Sequence, residues 1–160
     1  MSFINKKSII AITSILFCIS FLFWYLVLSN RPIKVAEDEM LLKIQLDVKE
    51  DFGLLIIDYD YNGDGGSGGI SNANKSLIKH DETLYFNITK KAFDEPTNIE
   101  KLDIHFAIVT KYFEPNYENN YPIENIITMD TISLDGNFGE LYSLQISGGF
   151  EDGYVATLME

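Results

Sequence analysis

Asp58, Asp60, Asn62 and Asp64 stand at alternate positions, interleaved with Gly63 and Gly65. Oxygen ligands at that spacing, with glycine at the turn, match the opening of a calcium-binding EF-hand loop. The match is short. The twelfth loop position, where a bidentate glutamate belongs, is Gly69, and neither flank has a helical pattern. A hard cation needs oxygens rather than helices, so a Ca²⁺ site on a β-hairpin stays one reading of these residues. The other is a solvated strand face, on which Asp58 and Asp60 would also fall together.

Two further groups invite chemistry. Gly65-Gly66-Ser67-Gly68-Gly69 satisfies the G-x-S-x-G pattern of a serine nucleophile. That motif requires a helix directly after it and a large α/β sheet around it, and the following residues read as a turn. His80 and His105 are the only histidines, so His80 would serve as base for Ser67 in the least favoured reading, a small serine hydrolase. His80 lies beside Asp81 and Glu82 and reads as a solvated turn. His105 alternates with core residues and reads as solvent-facing. The second group is residues 112–121, YFEPNYENNY, which set Tyr112, Tyr117 and Tyr121 among Glu114 and Glu118. Rings beside carboxylates can stack sugars or hold cationic peptides. The competing reading is a self-packed loop whose tyrosines cover the end of a core.

The elements that must carry these residues have a period of two. Leu42, Ile44, Leu46 and Val48 alternate with polar residues, as do Leu84, Phe86 and Ile88, and then Leu102, Ile104, Phe106 and Ile108. Further β-rich runs occupy 54–61, 126–134, 141–147 and 154–159, the last two joined by a glycine-rich connection at 148–153. About seven short strands with turn chemistry between them predict an all-β fold, an antiparallel β-sandwich Ig-like in general architecture. All 11 glycines follow residue 52, and five fall between 63 and 69. That cluster predicts sharp turns, close backbone approach or a mobile loop.

Charge divides the chain. All 24 acidic residues and 10 of the 12 basic ones follow residue 30, so residues 31–160 carry a formal −14 against −12 for the whole. With 46% hydrophobic and 13% aromatic residues, this is no disordered acidic tail. The absence of a basic stripe excludes a nucleic-acid binder. Cys18 is the sole cysteine, so the acidic body can hold neither a disulfide nor a cysteine metal site.

Residues 9–28 run 20 positions without a charge and end near Trp24 and Tyr25. As a helix that length spans about 30 Å, a bilayer's hydrocarbon core, and the rings suit the headgroup layer. A secretory leader normally has a shorter apolar core, yet Val27 and Ser29 satisfy the −3 and −1 positions for cleavage after Ser29. The expected organisation is a cytoplasmic tail (1–8), a transmembrane signal anchor (9–29), a linker (30–40) and an extracytoplasmic domain (41–160). Lys6 and Lys7 on one side balance Arg31 and Lys34 on the other. The short tail is the easier side to retain in the cytoplasm.

The stretches Gly68-Gly69-Ile70-Ser71-Asn72-Ala73-Asn74-Lys75-Ser76-Leu77-Ile78-Lys79-His80-Asp81 and Glu114-Pro115-Asn116-Tyr117-Glu118-Asn119 resemble parts of small, functionally uncharacterised membrane-anchored proteins of low-GC Gram-positive bacteria. That resemblance implies a bacterial envelope protein and carries no site residues. No convergent acid, base and nucleophile is visible, so a non-catalytic binding or structural module outranks an enzyme. An accessory subunit of a membrane complex is a further alternative. The expected partners are the bilayer, through residues 9–28, and an envelope protein or glycan.

Overall fold

The computed structural model describes residues 6–29, 33–93, 99–113 and 121–159, with side chains from 14 to 25 in the helix and from 101 onward in the strand that begins at Ile99. The chain divides into two units, 1–34 and 35–160. The first holds one helix, α1 (Lys6–Ser29), of 24 residues, about 36 Å long at the α-helical rise. Its described side chains, 14–25, are all exposed. Among the described residues no helix is long and apolar enough to cross a membrane.

The second unit begins at Val35, inside the stretch read as a linker, and its described residues form nine strands. β1 (Glu39–Val48), β4 (Thr83–Thr89), β8 (Leu141–Gly149) and β9 (Gly153–Leu158) form one sheet in the order β4-β1-β8-β9. β2 (Leu54–Tyr61), β3 (Asp64–Ile70), β5 (Ile99–Val109) and β6 (Ile126–Thr128) form the other in the order β3-β2-β5-β6, with β7 (Ile132–Gly136) also on β5. This is the expected two-layer all-β architecture. One ladder departs from the expectation of an antiparallel sandwich, because β1 and β8 run parallel. The strand order also differs from that of immunoglobulin sheets, since β1 and β2 lie in different sheets.

Alternation buries Met40, Leu42, Ile44, Leu46 and Val48 of β1 against Leu55 and Ile57 of β2 and Leu102, Ile104, Phe106 and Ile108 of β5, all in one core. Each such aliphatic side chain contributes about 1.5–3 kcal/mol on burial.

Two local departures shape the five-stranded sheet. The glycine-rich run is a strand, β3, not a loop. Asn62 and Gly63 have φ of 54° and 91°, and positive φ at both central residues makes the two-residue hairpin turn that matches strand twist. The run 126–134 is two strands because β5 meets it with a bulge. Ala107 pairs with Thr128 but Ile104 with Ile132, leaving one extra residue on the outer strand. There Met129 N–H donates to Phe106 O at 2.9 Å.

Candidate functional site

Registers place four rows of residues across the outer face of this sheet. Asp60 lies between Gly65 and Asp103, and Asp58 between Ser67 and His105. Ile56 lies between Gly69 and Ala107, and Leu54 beside Val109. The face therefore grades from acidic near the β2–β3 turn to apolar at the far end.

The bulge brings Thr131 beside His105, with Oγ1 2.9 Å from Nδ1. Asp103 accepts from Lys101 Nζ at 3.1 Å and from the Ser133 hydroxyl. Those two donors, Ser133 first, hold the Asp103 carboxyl below its ordinary pKa. The acidic end near β5 is thus paired. Near β3 it is not: among the described residues Asp58, Asp60 and Asp64 make no ion pair.

The candidate calcium ligands do not converge. Asp58 and Asp60 share the outer face, but Asp64 pairs with Tyr61 and so belongs to the opposite face. Asn62 is spent on the turn, and Asp60 Oδ1 accepts the Gly63 N–H at 3.3 Å. Among the described residues no group of three or more His, Cys, Asp or Glu could hold a metal ion.

Ser67 sits mid-strand with an exposed side chain that makes no hydrogen bond among the described residues. His80 is engaged elsewhere. Its Nδ1 lies 2.9 Å from Asp51 Oδ1, its backbone N–H donates to the same oxygen at 3.0 Å, and Lys79 Nζ lies 2.6 Å from Oδ2. Lys79 and His80 together lower the Asp51 carboxyl to about 2, and Asp51 in turn raises His80. Asp51 ties the segment before β4 to the β1–β2 connection, an anchor that sequence proximity hid because the partners are 29 residues apart.

Of the tyrosine-rich loop, Tyr112, Phe113 and Tyr121 are described and half-buried. Phe113 and Tyr121 pack edge to face at 5.7 Å, closing the loop at its stem. Glu114, Tyr117 and Glu118 lie outside the described residues. Tyr121 also borders an open cavity of about 460 Å³ with Leu54, Ile56, Asp58, Ser67 and Gly69. The tyrosine loop and the glycine strand, separate candidates in the sequence, therefore meet at one groove.

The inner side of β3 explains its composition. A Cβ at Gly68 would lie 2.6 Å from Phe86 Cε2, and one at Gly66 would lie 2.5 Å from the Tyr59 hydroxyl oxygen. Tyr59 packs edgewise on Phe86 at 6.2 Å and at a tilt on Phe93 at 5.8 Å. Glycine in β3 leaves room for these rings, a role with no signature in the linear pattern.

No protein-family model matches the chain, and no curated protein matches it. Among solved structures it is similar to a protein from Eubacterium rectale determined by NMR, at 8% identity and a TM-score of 0.40, covering 78% of this chain and 91% of that one. It is similar to listeriolysin O at 8% identity and 0.37, covering 76% of this chain and 23% of that one. It is also similar to the membrane-binding domain of pneumolysin at 9% identity and 0.32, covering 77% and 96%.

Proposed function

We propose that this protein is a single-pass, membrane-anchored module of a bacterial envelope whose acidic β-sandwich stands outside the membrane and binds a protein or glycan there without catalysis. The observation that carries the reading is the run of 20 uncharged residues, 9–28, placed within a 24-residue helix and followed by an independent β unit. In the sequence, residues 9–28 supply the roughly 20 consecutive uncharged positions that a bilayer core asks of a helix. The body's −14 charge favours the outer side, because anionic lipid on the cytoplasmic leaflet would repel it. The grooved face beside β3 supports binding, since it offers apolar floor, carboxylate and ring together.

Protease added to intact cells is expected to digest the body while residues 1–8 stay protected, with the body retained in washed membranes. A body that survives protease until the cells are lysed would overturn the sidedness. Crosslinked membranes from cells carrying the full chain are expected to yield a partner that an anchor-only control does not.

A further inference from the structure

Among the described residues β3 ends the five-stranded sheet and pairs with β2 on one side only. In a two-residue hairpin the flanking pair, Tyr61 and Asp64, exchanges both backbone bonds. Alternation then turns the N–H and C=O groups of Gly65, Ser67 and Gly69 away from β2. Among the described residues no hydrogen bond reaches those groups. Natural sheet edges are usually blunted by charge, proline or a bulge. Between Gly65 and Gly69 there is neither charge nor proline, and the register with β2 is unbroken over seven pairs.

A strand laid along β3 would lie about 9.6 Å from the β2 backbone, two strand spacings away. Opposite Gly65 its side chain would cross β3 where no side chain stands and reach Asp60. Opposite Gly69 it would enter the cavity floored by Leu54 and Ile56. The two ends of the edge thus ask for different chemistry, a cation at one and an aliphatic group at the other.

We propose that β3 takes up an extended segment of a basic partner protein by antiparallel strand addition, with a lysine or arginine opposite Gly65 and an aliphatic residue opposite Gly69. This rests on the binding role proposed above and names its site. Charge selects the occupant: Asp58, Asp60 and Asp64 make no ion pair among the described residues. A second copy of a body carrying −14 would be repelled. Main-chain bonds supply the affinity in such docking, and alternate side chains supply the specificity.

The test uses the full chain in nanodiscs of zwitterionic lipid and the probe acetyl-Thr-Val-Thr-Ser-Thr-Lys-Thr-amide, which places valine opposite Gly69 and lysine opposite Gly65. Saturable binding that weakens with salt is expected. N-methylation of the second, fourth and sixth amides removes the donors facing β3 and is expected to weaken binding about tenfold or more. Glutamate in place of the lysine is expected to weaken it similarly. Ser67→Pro blocks the edge from the protein side while sparing the β2–β3 bonds, because the Ser67 N–H points outward; it too is expected to abolish binding. Should that variant unfold, the methylated peptide on the unaltered chain decides alone. Absence of saturable binding, or equal binding of the methylated peptide, overturns the proposal. So does a dimer in light scattering that Ser67→Pro dissolves, since the edge would then belong to a second copy. None of these outcomes bears on protease sidedness, so the anchor reading stands or falls separately.

Discussion

Asp51 shows how much one residue can organise from the surface. It accepts from two backbone-adjacent cations and one backbone N–H, closing the segment 76–82 onto the β1–β2 connection. The pH dependence follows from the two shifts. His80 is raised, so its contribution is full below the unfolded value near 6.5 and is lost as pH rises through the folded value. Asp51 is lowered to about 2, so its contribution is full above 3.8 and is lost as pH falls through about 2. Both are complete only between those limits. The difference in melting temperature between the native chain and Asp51→Asn is therefore expected to be largest near pH 5. It should shrink by pH 8 without vanishing, because Lys79 stays charged. A difference that is the same at pH 5 and pH 8 would remove His80 from the account. None of this was legible in the sequence, where His80 reads most naturally with its neighbours Asp81 and Glu82. Both the paired carboxylate and its reason for pairing come from a distant loop.

At the scale of elements, period-two alternation located β1, β4 and β5, because each buries one face and the pattern records burial directly, while β-rich runs between turn residues located β2, β8 and β9. It failed at β3 for a physical reason. The inner face of that strand is filled by rings from β2 and β4, so apart from Ile70 at its end the strand supplies no hydrophobic residue to alternate. The Asn62-Gly63 turn was the available signal, half hidden because only one of its flanking runs is apolar. It also failed to divide 126–134, since a bulge is a matter of register with β5 and leaves no mark in composition. The filled space under β3 makes a prediction. Gly68→Ala sets a methyl 2.6 Å from the Phe86 ring, which is itself held edgewise by Tyr59. Overpacking of this kind costs about 1–3 kcal/mol. Ser67→Ala, one residue away on the exposed face, is expected to stay within about 0.5 kcal/mol of the native chain. Urea midpoints measured side by side check the pair, and equal midpoints would mean that the rings do not need the glycine.

For the whole molecule, the division of charge and the division of structure coincide. The core lies entirely within the second unit, from Met40 to Tyr154, and a unit of 126 residues, Val35 to Glu160, is large enough to bury one. Residues 35–160 alone are therefore expected to unfold cooperatively in urea. That same unit, which leaves out Arg31 and Lys34, carries a formal −16 (8 basic against 24 acidic residues), spread over strand faces with few opposing cations. Self-repulsion of that kind destabilises a compact state and is screened by salt. Ion pairs such as Lys49–Asp152 and Lys101–Asp103 are exposed and weaken in salt by a smaller amount each. The repulsive terms outnumber them, so the melting temperature of 35–160 should rise by a few degrees between about 10 mM and 500 mM NaCl, where the Debye length falls from about 30 Å to below 8 Å. Calorimetry across that range gives the sign. A fall would mean that the ion pairs govern stability, and that the acidic face costs the fold nothing and is free to be kept for a partner's charge.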